Sequence, residues 1–137
     1  MESWKEELVE AFHNSLERCG SSRKFLGRFY EIFLASSPAV AARFADTNFA
    51  TQTRALQTSF YMAMLASSRR GEAADYLNRI AGYHSHSQMD IKPEYYDLWI
   101  DSLVAAVREF DPKFDDGVER VWREFLQPAI EYMKAKY

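Results

Sequence analysis

Apolar residues recur at every third or fourth position through most of the chain, and this spacing places them on one face of an α-helix. The first stripe is followed by Gly20-Ser21-Ser22, which ends a helix and offers a cap for the next one. The second is followed by Ser36-Ser37-Pro38, which stops that helix and starts a short one ending near Phe44. These two stripes contain Trp4, Leu8, Phe12 and Leu16, and then Leu26, Phe29, Tyr30 and Phe33.

The helical pattern continues after residues 45–50, which are polar and typical of a loop. We predict one helix from about Thr51, one that ends near His86, one that Pro93 starts, and a last one after Asp111-Pro112. Pro128 inside the last helix should bend it or remove one backbone hydrogen bond. No segment of comparable length alternates with period two, so we expect an all-α fold without a sheet.

Composition restricts the class of protein. The chain has 137 residues, and we expect a single domain over residues 1–137. Hydrophobic residues make up 47% of it, enough for a sizeable core, and a net charge of −3 favours no nucleic-acid partner. No apolar run approaches the ~18 residues that span a bilayer, and the acidic start is unlike a secretion signal. With Cys19 as the only cysteine, we expect a soluble, cytoplasmic protein that has no membrane contact.

One histidine and many aromatic residues carry the candidate chemistry. His86 closes a predicted helix, and Ile91-Lys92-Pro93-Glu94 and then Tyr96 follow it. Upstream, Phe29-Tyr30, Pro38 and Phe44 occur at spacings that would line an apolar pocket, and a pocket with one imidazole and many rings suits a flat, iron-bearing ligand. The chain has no glycine-rich phosphate loop, no CxxC pair and no HExxH motif.

Taken in order with Gln52-Thr53-Arg54-Ala55-Leu56, these motifs resemble the globin family, specifically the single-domain bacterial globins and the haem domain of flavohaemoglobins. The resemblance covers nearly the whole chain and implies a globin fold of about seven helices in a three-on-three sandwich around haem b. It implies that His86 is the axial ligand of the iron, and that Tyr30 and Gln52 face the bound gas. The haem contacts that it implies are Phe33, Phe44, Leu56, Phe60, Ile91, Tyr96 and Ile100.

Each of these assignments has an alternative. His86 could be a helix-end histidine favoured by the helix dipole, with His84 as a rival ligand. Tyr30 could be an ordinary core tyrosine. The loop at residues 45–50 is about two residues shorter than in flavohaemoglobins, so Thr53 or Asn48 could take the place of Gln52. The haem contacts could equally be ordinary core, because any buried helical stripe has this pattern.

The side opposite the gas depends on a second set of residues. In flavohaemoglobins a tyrosine that corresponds to Tyr96 and a glutamate on the last helix hold the proximal imidazole. Glu131 is the nearest glutamate by type, but aligning the last helix on Trp122 puts Tyr137 at that position. An incomplete set would weaken the case for peroxidase-like or dioxygenase chemistry.

The leading functional hypothesis is reversible, high-affinity binding of O₂ and other diatomic gases, including NO and CO, with no catalytic residue. A nitric oxide dioxygenase or peroxidase-like enzyme is the first alternative, and it would need a separate reductase as partner. A gas-sensing module that acts through a partner protein is the second. Pairing of two copies through the last two helices is compatible with the sequence.

Overall fold

The computed structural model describes residues 3–20, 22–66 and 92–135. Helices fill most of these ranges, and no strand occurs in them, in agreement with the all-α prediction. The helices are α1 (Ser3–Arg18), α2 (Ser22–Ala35), α3 (Pro38–Arg43), α4 (Phe49–Ala66), α5 (Pro93–Phe110) and α6 (Asp116–Ala135). The helix predicted to end near His86 lies outside the described residues.

Local sequence signals set several helix ends. Gly20, just after α1, has a φ of 79°, a left-handed conformation that glycine adopts without steric strain. Ser37 caps α3, because its hydroxyl accepts a hydrogen bond from the amide of Ala39 at 3.2 Å, and Pro38 occupies the first turn. α6 stays helical on both sides of Pro128, which is exposed.

α2 is the element that organises the described part of the fold. It packs against α3, α4 and α5, and its most extensive contact is with α5. α1 and α5 each pack on α6. None of the helices within the described ranges is long and apolar enough to cross a membrane.

Aromatic side chains from five helices form the first of two ring clusters. Phe12 of α1 stacks on Phe125 with 4.1 Å between ring centroids. The centroid of the Trp122 ring lies 4.6 Å from that of Phe12. Phe60 of α4 packs edge-on against Phe12, and its centroid is 5.8 Å away. Burial of each such ring stabilises the fold by about 1.5–3 kcal/mol. This group, which we call the Phe12 cluster, also contains Phe25 and Phe110.

A buried polar cluster holds α1 against the turn between α5 and α6. The Asp111 carboxylate accepts hydrogen bonds from the Ser15 hydroxyl at 2.6 Å and from the Arg18 guanidinium at 2.7 and 2.9 Å. The amide of Lys113 donates a further bond at 2.9 Å, and Trp122 Nε1 donates to Ser15 Oγ at 2.8 Å. Buried polar groups are tolerated when they are paired in this way, and the Asp111 cluster therefore fixes how the chain turns after α5.

Cys19 lies beside this cluster and is buried. Burial raises the pKa of its thiol to about 12, and the nearby Asp111 charge adds to the rise. A thiol that stays protonated is a poor nucleophile. At neutral pH the buried Cys19 thiol therefore keeps its proton.

Candidate functional site

Tyr30 lies on α2 between two other aromatic rings. Only 5% of its surface is exposed. Its ring centroid is 4.7 Å from that of Phe29 and 5.3 Å from that of Phe49, and both pairs are tilted. Ring pairs at these separations stabilise each other by about 0.5–1.5 kcal/mol beyond their burial. The phenol of Tyr30 therefore has a defined orientation in the folded chain.

The side chain of Gln52, on α4, lies close enough to the Tyr30 hydroxyl to act on its pKa as a hydrogen-bonding neighbour. The structure thus brings together the two residues that the sequence predicts to face a gas ligand. Burial raises the pKa of Tyr30 to about 12 because desolvation disfavours the charged phenolate, and the neighbouring Gln52 opposes this rise in part. At neutral pH the hydroxyl keeps its proton and is able to donate it in a hydrogen bond.

The position of Gln52 follows from how α4 begins. The Asn48 side chain accepts a hydrogen bond from the amide of Thr51 at 3.2 Å, and the Asn48 carbonyl accepts one from the amide of Gln52 at 3.0 Å. Asn48 is exposed and acts as the helix cap, and α4 begins at Phe49 rather than at about Thr51 as predicted. Of the three residues that could take the gas-facing position, Asn48 caps α4 and Gln52 is the neighbour of Tyr30, while Thr53 stays an alternative.

Phe49 belongs to this group of rings, although the sequence analysis did not identify it. Its centroid lies 6.4 Å from that of Phe44, which in turn lies 5.7 Å from that of Phe33. The second ring group, here called the Tyr30 cluster, consists of Phe29, Tyr30, Phe33, Phe44, Phe49 and Trp99. The signal that would have found Phe49 is its position three residues before Gln52, which puts both on one face of a helix.

Several apolar side chains near the Tyr30 cluster are only partly buried. Phe33 is buried with 3% exposed, whereas Phe44 and Phe49 are half-buried and pack against the core from its margin. Leu56, one turn beyond Gln52 on α4, is half-buried as well. These partly buried groups leave some apolar surface at the margin of the core.

α5 contributes two of the predicted site residues. Tyr96 and Ile100 are both buried, and burial raises the pKa of Tyr96 to about 12. Next to Ile100, the Trp99 ring packs edge-on against Phe29, with 5.8 Å between centroids. α5 therefore approaches the Tyr30 cluster through Trp99.

Phe60, another predicted haem contact, lies eight residues after Gln52 on the same helix. Its ring packs against Phe12 and Trp122, each with 5.8 Å between centroids. The structure thus places Phe60 in the Phe12 cluster, while Gln52 contacts Tyr30. α4 takes part in both ring clusters.

The proximal candidates are described only in part. His86, its rival His84, Ile91 and Tyr137 lie outside the described residues, and their roles stay predictions. Glu131 has a side chain that is 58% exposed; it accepts a hydrogen bond from Gln127 Nε2 at 2.6 Å and lies 3.8 Å from the Lys134 ammonium. Its carboxylate is thus at the surface, engaged by neighbours on its own helix.

The comparison with known proteins decides the family. The crystal structure of a Pseudomonas aeruginosa protein, described as structurally highly homologous to a human haemoglobin, matches this chain with a TM-score of 0.86. The two sequences are 34% identical over 95% of this chain and 98% of the other. The chain belongs to the globin family.

The likeness to bacterial single-domain globins that the motifs indicated is therefore confirmed. So is the all-α globin fold, with six helices in the described ranges against an expected count of about seven. No family model matches the sequence, and no curated protein matches it. The structural match thus identifies this globin where those sequence comparisons did not.

Proposed function

We propose that this globin binds haem b and thereby reversibly binds dioxygen and other diatomic gases with high affinity. The observation that carries the proposal is the buried, protonated Tyr30, which is held among aromatic rings and has Gln52 as a hydrogen-bonding neighbour. The proposal assigns the gas-facing side of a haem pocket to this pair. His86 is assigned the axial position on the other side.

The residues present fit a flat, apolar cofactor. Phe44, Phe49 and Leu56 are half-buried at the margin of the core, where an apolar molecule would cover them. In the proposal they contact haem together with Phe33, Phe60, Ile91, Tyr96 and Ile100. When bound, haem iron would supply an open coordination position at which a diatomic gas binds.

The hydroxyl of Tyr30 supports a preference for dioxygen over carbon monoxide. Dioxygen in such a pocket gains partial negative charge, and a fixed donor shielded from water stabilises that charge. Carbon monoxide gains much less charge and profits less from the donor. Gln52 has both donor and acceptor atoms, so it can keep the Tyr30 hydroxyl in place or donate to the gas itself.

Tyr30→Phe tests this role because it removes the hydroxyl and leaves the ring. A net hydrogen bond of about 0.5–1.5 kcal/mol predicts that O₂ dissociates about 2- to 12-fold faster, with nearly unchanged CO affinity. Stopped-flow measurement of both gases checks this. Phe110→Leu is the control, since Phe110 pairs with Phe25 in the Phe12 cluster. An O₂ dissociation rate equal to that of the parent would remove Tyr30 from the mechanism.

Titration with hemin tests the cofactor assignment. The parent chain should give the absorption spectra of a haem protein in the ferric, ferrous and CO-bound states. His86→Ala should lose the tight complex, whereas His13→Ala should keep it, because His13 is exposed and lies 3.2 Å from Glu17 on α1. Loss in His84→Ala instead would move the axial role to His84, and no uptake of hemin by the parent would refute the proposal.

The enzymatic alternative gains no support from α6. A nitric oxide dioxygenase or peroxidase of the flavohaemoglobin kind would use a glutamate beside Tyr96, but Glu131 is engaged at the surface by Gln127 and Lys134. Turnover of NO to nitrate with an added reductase would favour this alternative. Stoichiometric oxidation without turnover would favour gas binding, alone or as the input to a partner protein.

A further inference from the structure

Phe49 occupies a position from which it controls Tyr30. It is the first residue of α4, and its ring touches two members of the predicted pocket: Tyr30 at 5.3 Å and Phe44 at 6.4 Å between centroids. The Tyr30 pair is tilted by 59°, whereas the Phe44 pair is nearly parallel at 29°. Phe49 therefore connects the phenol of Tyr30 to the ring of Phe44.

The first turn of α4 holds Tyr30 at two points. Phe49 and Gln52 are three residues apart, so their side chains leave the same face of the helix. Phe49 contacts the ring, and Gln52 lies close enough to the hydroxyl to influence its pKa. The Asn48 cap fixes this turn through its bonds to the amides of Thr51 and Gln52. One capped turn thus sets both the plane of the Tyr30 ring and the direction of its oxygen.

Phe49 restricts the rotation of the Tyr30 ring. A tyrosine side chain has two rotatable bonds. The neighbouring ring of Phe29, with 4.7 Å between centroids, restricts the rotation of the Tyr30 ring. The contact with Phe49 restricts it from a second element. A donor works on a developing charge only when its direction is already fixed, and a shift of its oxygen forfeits the hydrogen bond.

We propose that Phe49 is a positioning residue for Tyr30, which sets the direction of the Tyr30 hydroxyl and through it the discrimination between dioxygen and carbon monoxide. This inference rests on the proposed function, because Tyr30 must be the donor to the gas. It adds a residue that neither gas nor haem iron needs to touch. Its effect on the choice between the two gases is transmitted through the ring and hydroxyl of Tyr30, apart from any contact of Phe49 with haem.

Phe49→Leu is the test, and Phe110→Leu is the matched control. Both residues are half-buried and each pairs with another ring, but Phe110 pairs with Phe25 in the Phe12 cluster. With hemin bound, Phe49→Leu should release O₂ about 2- to 12-fold faster and shift the CO stretching band toward that of Tyr30→Phe. Phe49→Tyr keeps the ring and should restore the parent band, and Phe110→Leu should not move it.

A second measurement works on the full chain before hemin is added. Carbon-13 labelling of the tyrosine ring carbon that bears the hydroxyl gives one NMR signal per tyrosine, and Tyr30→Phe identifies that of Tyr30. This signal should shift in Phe49→Leu and stay in place in Phe110→Leu. Should leucine lower the helical circular dichroism, Phe49→Met replaces it, because methionine has no ring and its flexible, unbranched side chain adapts to the space left.

The outcomes separate the two proposals. An unshifted Tyr30 signal together with a parental CO band in the ring-less variant overturns the role of Phe49. A shifted signal in a chain that takes up no hemin establishes the contact of Phe49 with Tyr30 but refutes the proposed function, and with it any role of Phe49 in gas discrimination.

Discussion

Asp111→Ala removes one small side chain, yet we expect it to reduce the stability of this globin sharply. The Asp111 carboxylate is fully buried and receives four hydrogen bonds, from Ser15, from two nitrogens of Arg18, and from the amide of Lys113. Alanine removes all of these acceptors at once. The Arg18 guanidinium and the Ser15 hydroxyl would then keep fewer hydrogen-bond partners in a site that is only partly exposed to water.

The size of this loss of stability depends on how much of the Arg18 side chain is exposed to water. Removing one partner of a buried ion pair costs about 3–5 kcal/mol, largely because the other charge is left uncompensated. The Arg18 side chain is 26% exposed, so part of its hydration remains and the loss should lie near the lower end, at about 3 kcal/mol. This is a large part of the total of about 5–15 kcal/mol that is typical of a globular domain.

Urea unfolding followed by far-ultraviolet circular dichroism measures this loss. The midpoint should fall, while the slope with urea concentration stays constant, because the surface exposed on unfolding hardly changes. Asp101→Ala is the control: its side chain is 64% exposed and bonds Arg123 at 3.0 Å, and exposed pairs contribute about 0–1 kcal/mol. If both variants lose the same stability, the Asp111 cluster does not hold the fold together as argued.

The same carboxylate predicts how the loss depends on pH. Burial pushes the pKa of Asp111 up, but the bonds from Arg18, Ser15 and the Lys113 amide outweigh it, and the pKa is lowered. A carboxylate with a lowered native pKa contributes stability that is present above its unfolded-state pKa and is lost as the pH falls through the native value. The difference between parent and Asp111→Ala should therefore be constant near neutral pH and shrink in acid.

Two further predictions concern α1 and the buried phenols. Gly20→Ala should destabilise the chain by about 1 kcal/mol in the same urea assay, because φ is 79° there and alanine adopts it with strain, although no atom lies within 4 Å of an added Cβ. In ultraviolet titration the phenols of Tyr30 and Tyr96 should ionise only near pH 12, and the fraction that ionises late should fall in Tyr30→Phe and in Tyr96→Phe. Since the pKa of each is raised in the folded state, stability should fall as the pH rises from about 10, where unfolded tyrosine ionises.

The sequence predicts those features of the fold that depend on neighbouring residues. Gly20 ends α1, Ser37 and Pro38 start α3, and Asp111-Pro112 follows the end of α5, each as expected. In all three places a turn or cap is determined by the conformational limits of one or two residues. The helical period likewise predicts the buried face of each helix, because it depends on spacing alone.

The start of α4 shows where this reasoning fails. Residues 45–50 look like a loop, and the helix was expected from about Thr51, but it begins at Phe49. Asn48 is a good local cap signal, yet an aromatic residue at the first helical position gains its place by packing on Tyr30 and Phe44. Those partners come from α2 and the end of α3, so the spacing from Gln52 marks the helix face on which Phe49 lies but not the rings that it meets.

The partners of Asp111 in its cluster could not be predicted from the sequence. An aspartate followed by proline is recognised as the end of a helix, and that much is confirmed. Its partners Ser15 and Arg18 are 96 and 93 residues away along the chain. Only the packing of α1 on α6 brings them together, and the helical stripe of α1 shows which residues are apolar but not which polar residues become buried.

The two ring clusters explain how this chain tolerates an incompletely buried pocket. Half-buried rings such as Phe44 and Phe49 forgo part of the stabilisation that full burial supplies, about 25 cal/mol for each Å² left exposed. The Phe12 cluster and the Asp111 cluster share Trp122, whose ring packs on Phe12 and whose Nε1 donates to Ser15. Stability is thus concentrated around α1 and α6, in residues outside the Tyr30 cluster. Polar and partly exposed side chains can then persist at the start of α4, because the fold does not depend on their burial.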